Sequence, residues 1–160
     1  MAVPPTPALM NAPAAAARHD DPALGALRAL TRSARMLERS CGELSLAQYR
    51  VLAAIADGAE QASRIARRLA LGKPAVSTLV ETLCERGLLE RHSVAGDQRA
   101  AALDLTERGR AVLQAAEEEM LAKLAAIAGK SGAGDALIAA LAAMDRAIEA
   151  LAGERLGSEQ

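Results

Sequence analysis

Residues able to do covalent or metal chemistry are sparse and scattered. The chain has two cysteines, Cys41 and Cys84, and two histidines, His19 and His92. They form no cluster with ligand spacing, so a zinc or haem site lacks its donor set. Glu117-Glu118-Glu119 reads as a solvated helical face, not an acid–base pair. No Ser-His-Asp arrangement and no nucleotide loop is present, so neither an enzyme nor a cofactor is expected. What remains is positive charge and short hydroxyls, a chemistry suited to duplex DNA. Lys73, Ala75, Ser77, Thr78 and Thr82 fall on the outward side of one helical pattern. Lysine can donate to guanine O6 or N7, or to phosphate; Ala75 and Thr78 offer methyl contact to thymine; Ser77 and Thr82 can bond bases or phosphates. Arg99 lies at the tip of the hairpin that follows, where a cation on a narrow ribbon can enter the minor groove. Asp97 can hold that tip by a salt bridge to Arg99, Arg68 or Arg64. Arg64, Arg67, Arg68 and Arg91 suit phosphates, which position a protein rather than inform it.

The elements that must position these residues can be read from caps and periodicity. Asp20-Asp21-Pro22 starts a first helix that carries Leu24, Leu27, Leu30, Ala34 and Leu37 and ends near Gly42. Ser45 with Gln48 is a capping box for a second helix, with Leu46, Tyr49, Leu52, Ala53, Ile55 and Ala56 inward and a stop at Asp57-Gly58. A third spans about Gln61–Leu69, with Ile65, Ala66 and Leu69 inward. The fourth begins at Lys73-Pro74, buries Val76, Leu79, Val80 and Leu83, and stops at Gly87. Two strands, Leu88–Ser93 and Ala100–Leu105, flank a loop over residues 94–99. Thr106 caps a fifth helix to about Ala128. Gly129 to Gly134 is a flexible break, and a sixth helix runs from about Asp135 to Ala152. The fold class is mainly α, a winged helix-turn-helix in the order α-α-α-α-β-β-α-α. Residues 1–19 read as a disordered tail, 20–42 and 107–153 as a helical dimerisation region, 44–105 as the DNA-binding lobe and 154–160 as a frayed tail. The outer helices carry more apolar surface than one lobe needs, which points to a two-fold homodimer.

Bulk numbers bound this reading. The chain of 160 residues is 51% hydrophobic, but Phe and Trp are absent and Tyr49 is the only aromatic residue. Small aliphatic side chains suit close-packed helices. The net charge is −1, yet residues 61–110 alone carry +3. No apolar run reaches the roughly 20 residues of a membrane span, and prolines interrupt any leader pattern. A cytoplasmic protein is expected.

Several stretches, in order, resemble the MarR family of bacterial transcriptional regulators. Leu44-Ser45-Leu46-Ala47-Gln48-Tyr49-Arg50-Val51-Leu52 resembles the family's second helix, and Ile65-Ala66-Arg67-Arg68-Leu69 its third. Lys73-Pro74-Ala75-Val76-Ser77 resembles the start of its recognition helix. Leu83 to Arg91 and Asp97-Gln98-Arg99, followed by Leu105-Thr106-Glu107-Arg108-Gly109, resemble the wing signature. Gly72 departs from the family's usual Ser or Thr cap, and Thr78 stands where an arginine is frequent. The resemblance, over about residues 21–152, implies a homodimeric DNA-binding regulator, a ligand-responsive repressor on a pseudo-palindromic operator. It also implies a crevice for a phenolic or other anionic effector, for which Arg28, Arg32, Met36, Tyr49, Arg50 and Leu52 are candidates. Two alternatives stand beside it: an oxidant-sensing thiol switch through Cys41, and a winged helix that binds protein.

Overall fold

A computed structural model describes the backbone at residues 21–94 and 97–157, and side chains over the same residues except 93–101, 149 and 152–157. The expected tail over residues 1–19 and the end of the chain from 158 therefore lie outside the described residues. The chain divides into two compact units, residues 1–36 and 37–160.

Most of α1 (Pro22–Glu38) makes up the described part of the first unit. Asp21 caps it, its carboxylate accepting from the Ala23 N–H at 2.9 Å. No residue of α1 is buried. Leu27 is 56% exposed and Leu30 also stands open. The helix forms because its sequence favours it locally, and the middle of its leucine stripe, at Leu27 and Leu30, is left uncovered.

In the second unit the elements follow in the order α2 (Leu46–Ala56), α3 (Ala62–Leu69), α4 (Lys73–Glu85), β1 (Leu89–Val94), β2 (Asp97–Leu105), α5 (Glu107–Ser131) and α6 (Gly134–Gly157). The capping box of α2 is formed as its sequence predicts. Ser45 Oγ accepts from Gln48 N at 3.2 Å, and Gln48 Oε1 accepts from Ser45 N at 3.0 Å. One core joins these elements: Val51 and Leu52 from α2, Ile65 from α3, Val76 and Leu83 from α4, and Leu88 from the turn after it are almost wholly enclosed. Leu103 and Leu105 of β2 and Leu113, Ala116 and Met120 of α5 close it from the other side.

The strands form an antiparallel ribbon in which Leu89 pairs with Leu105, Glu90 with Asp104 and His92 with Ala102. The register slips between Ser93 and Val94, so that Val94 meets Asp97. Strand β2 thus opens at Asp97 rather than Ala100. The Leu103 N–H also donates to Glu60 O at 2.8 Å, tying the ribbon to the segment before α3.

Two helices run past their expected ends. Gly129 lies inside α5, and the stop comes at Gly132, whose φ of 69° gives the left-handed cap. Only one of two nearby glycines can terminate the helix, and the one at the left-handed position does so. Helix α6 continues through Gly153 to Gly157. A helical glycine costs about 1 kcal/mol, and the Glu154-Arg155-Leu156 that follows favours helix.

Candidate nucleic-acid interface

Helix α4 is held by one face and open on the other. Val76, Val80 and Leu83 anchor it in the core. Their spacing turns Lys73, Ala75, Ser77 and Thr78 fully outward and leaves Thr82 half-buried. The two threonine hydroxyls are turned back on the helix. Thr78 Oγ1 donates to Pro74 O at 3.2 Å, and Thr82 Oγ1 donates to Thr78 O at 3.0 Å. Their protons are engaged, so toward a base edge they offer acceptor lone pairs and methyl groups. Lys73 supplies donors. Before it, Gly72 is the N-cap, with extended backbone and no side-chain cap bond. The first N–H groups of α4 thus lack a side-chain acceptor, and the positive end of the helix faces outward.

The turn before α4 is tight. Ala70 adopts φ 51°, ψ 41° at the end of α3, and its neighbour's N–H closes on Ala66 O at 3.0 Å. The carbonyl of Leu69 there accepts from Arg50 Nη2 at 3.1 Å. Arg50 therefore braces the helix-turn-helix against α2, a role its sequence context did not reveal.

The far end of α4 is gripped by the start of α5. Three consecutive carbonyls of the turn accept from that segment: Arg86 O from Arg108 Nη1 at 3.0 Å, Gly87 O from Thr106 Oγ1 at 2.7 Å, and Leu88 O from Thr106 N at 3.2 Å. Thr106 Oγ1 also accepts from Gly109 N at 2.9 Å, so one hydroxyl caps α5 and fixes the turn. A Cβ at Gly109 would stand 2.0 Å from Leu88 O. The Leu-Thr-x-x-Gly pattern is thus a packing requirement: only glycine lets α5 start this close to the turn.

The arginines differ in what they do. Arg64 and Arg67 are exposed on α3. Arg68 is paired at 2.7 Å with Asp57, at the end of α2. Arg91 lines a groove of about 400 Å³ between α4 and β1, together with Glu81, Cys84, Glu85, Leu89 and Glu90. Glu81 and Glu85 line the same groove from the side of α4. On the opposite face of the ribbon, His92 Nε2 stands 3.3 Å from Glu90 and 3.8 Å from Asp104. Asp97 and Arg99 are placed by backbone on β2; their side chains lie outside the described residues, so the expected Asp97 pair does too.

The sensor candidates are distributed over both units. Arg28, Arg32 and Met36 follow one another at four-residue spacing on α1, with both arginines exposed. Tyr49 and Arg50 stand on α2, whereas Leu52 is wholly inside the core and has no surface to give a ligand. The phenol of Tyr49 is pushed to a raised pKa, first by burial, then by Glu117, Cys41 and Asp57. Cys41 is fully enclosed, its Sγ donating to Leu37 O at 3.2 Å and lying 3.7 Å from Met120 Sδ. Burial and the nearby Glu38 raise its pKa as well. That setting keeps the thiol protonated, the reverse of what makes a cysteine an oxidant sensor. Among the described residues no His, Cys, Asp and Glu group of three or more is arranged to hold a metal ion, and no helix is long and apolar enough to cross a membrane.

Sequence reasoning passed over Arg86 and Glu43. Arg86 Nη1 donates to Gln48 Oε1 at 3.1 Å, and Nη2 donates to Glu43 O at 3.2 Å, with the Glu43 carboxylate 3.6 Å away. The partners lie about 40 positions apart, so no periodicity could have signalled them.

Comparison with known proteins bears on this geometry. Residues 43–100 match the sequence profile of the MarR family. Solved structures share the fold. A MarR family transcription regulator is 25% identical, covers 82% of this chain and 91% of its own, and superposes with a TM-score of 0.66. CouR, a transcriptional repressor solved on a 23-mer DNA duplex, is 26% identical, covers 76% of this chain and 90% of its own, and has a TM-score of 0.63. The Mycobacterium tuberculosis regulator MOSR, solved in complex with DNA, is 23% identical, covers 82% and 98%, and has a TM-score of 0.59. No curated protein matches the sequence.

Proposed function

Because the chain belongs to the MarR family of DNA-binding transcriptional regulators, we propose that it is a ligand-responsive repressor that binds a pseudo-palindromic operator as a homodimer. The observation that carries this reading is α4, anchored by Val76, Val80 and Leu83 with Lys73, Ala75, Ser77 and Thr78 turned outward. A helix of that form fits the major groove and reads base edges from its first turns. In this reading Lys73 donates to guanine or phosphate, and Ala75 and Thr78 meet thymine methyls. Ser77 bonds bases or phosphates, and Thr82, its proton engaged, accepts from base amino groups. Arg99, steadied by Asp97, enters the minor groove, while Arg64, Arg67, Arg68 and Arg91 track phosphates.

CouR and MOSR were solved on DNA, and their likeness supports the same partner here. The dimerisation region is assigned to residues 20–42 and 107–153, and the lobe to 44–105. Exposed leucines on α1 and exposed Ile138, Met144, Ile148 and Leu151 on α6 support that division. The candidates for an anionic effector are, in the first unit, Arg28, Arg32 and Met36 and, separately in the second, Tyr49 and Arg50. The protein acts in the cytoplasm, without catalysis.

Selection of bound fragments from a genomic pool, followed by titration on the recovered duplex, tests the reading. The expected outcome is a site with half-sites about 10 base pairs apart, centre to centre, that represses a reporter placed downstream. Affinity should fall steeply with salt as counterions are released. Phenolic acids should release the duplex. A pool with no enriched sequence overturns the regulator reading, and a site that does not repress overturns the repressor assignment.

A further inference from the structure

We propose that Arg86 is the positioning residue of the DNA-reading helix, fixing the angle of α4 by clamping its end to the start of α2. The inference rests on the DNA-binding reading above. Arg86 is the C-cap residue of α4, and its side chain is 27% exposed. Its guanidinium spans two acceptors, Gln48 Oε1 in the first turn of α2 at 3.1 Å and the Glu43 carbonyl in the turn before it at 3.2 Å. Gln48 Oε1 is already the oxygen that accepts from Ser45 N at 3.0 Å. One amide oxygen therefore closes the capping box of α2 and holds the end of α4. The main chain of Arg86 is held in turn, its carbonyl accepting from Arg108 Nη1 at 3.0 Å. The carboxylate of Glu43 stands between both cations, 3.6 Å from Arg86 and 4.0 Å from Arg108.

A planar fork with several fixed donors can bridge two acceptors at once; a single ammonium cannot do so with the same geometry. The clamp thus does what the apolar core alone does not. Val76, Val80 and Leu83 hold α4 by contacts that have no directional requirement, whereas the polar bonds at its end also fix distance and angle. Base edges are read by bonds with narrow distance and angle limits, while phosphate attraction is tolerant of tilt. Loss of the clamp should therefore damage sequence discrimination and spare general DNA affinity.

The test compares the selected duplex with a scrambled duplex, for unaltered protein and variants, at several salt concentrations. Arg86→Ala is expected to reduce the ratio of selected to scrambled affinity by about tenfold, the size of one lost base-edge interaction. The dimer should remain, and the salt slope should not change. Arg86→Lys should show a similar loss. Adding Gln48→Glu to Arg86→Lys should restore most of the ratio, because a carboxylate on that position accepts from Ser45 N and pairs with the ammonium. If Arg86→Ala fails to fold, the lysine pair carries the same comparison. An unchanged ratio overturns the proposal. So does an equal loss on both duplexes with the salt slope reduced by about one ion, which would make Arg86 a phosphate contact. Failure of Gln48→Glu to rescue overturns it too. Unaltered protein with no preference between the duplexes overturns the DNA-binding reading itself, and this inference with it.

Discussion

Helix α4 and helix α1 are both amphipathic, yet they stand in opposite conditions. Helix α4 buries Val76, Val80 and Leu83 and is tied at its far end by Arg86, Arg108 and Thr106. Helix α1 buries nothing, and Leu27 and Leu30 are open. Helix α6 resembles α1 in this respect, with Ile148 56% exposed. The polar face of α4 is the free one; the apolar faces of α1 and α6 are the free ones. A lone exposed leucine means little, but a stripe of them along a helix marks a surface that a partner covers. The lobe around α4 is closed by its own core, whereas α1 and α6 leave apolar side chains open, as the proposed dimerisation region requires.

The largest break of this contrast is in the lobe. Leu83→Ala removes a side chain with no exposure and should lower unfolding free energy by about 2–5 kcal/mol. Gly109→Ala should match or exceed it, because its Cβ meets a backbone oxygen rather than a mobile side chain. Denaturant titration at constant dimer state measures both. Next comes the outer surface: Ile148→Lys with Leu151→Lys should dissociate the dimer by at least about a hundredfold while the lobe's own unfolding stays within about 0.5 kcal/mol. Sedimentation and chemical denaturation report the two quantities separately. If the lobe unfolds with the dimer, the division of labour is wrong.

A smaller effect is the response to alkali. The raised pKa values of Cys41 and Tyr49 mean that the folded chain keeps protons that the unfolded chain gives up. Stability should be undiminished by these groups below about pH 8.5 and decline above it, first through Cys41 and then, past about pH 10, through Tyr49. Cys41→Ala should flatten the first part of the decline, and iodoacetamide should modify Cys84 well before Cys41 in the folded protein. The smallest effect is at Ala70. Its left-handed backbone costs an L-residue about 1 kcal/mol, so Ala70→Gly should raise stability by about 0.5 kcal/mol after the entropy of glycine is subtracted. A loss of stability there would show that the Ala70 methyl packs usefully.

Local rules located the elements well. The Ser45–Gln48 box and the Thr106 cap formed as written, because a cap is satisfied within three residues of itself. The same locality explains the failures. Gly129 and Gly153 looked like stops, but a glycine ends a helix only where the chain turns left-handed, as at Gly132. Of the candidate interface residues, the face of α4 was legible from the spacing of Val76, Val80 and Leu83. The partners of Arg50, Arg68 and Arg86 were not, since each lies 11 or more positions away. Arg50 donates to Leu69 O and Arg68 pairs with Asp57, bonds that charge and spacing alone do not disclose.

By itself, then, the amino-acid order determined the succession of helices and the ribbon, which side of α4 is buried, and that Lys73, Ala75, Ser77 and Thr78 share the other side. Periodicity and capping are short-range properties, and they are written in neighbouring residues. Only the tertiary structure decided how the reading helix is held. The acceptors of the Arg86 guanidinium, the carbonyls taken up by Thr106 and Arg108, and the space that excludes a Cβ at Gly109 depend on segments brought together by the core. Hydrogen bonds demand distance and direction that no local pattern specifies.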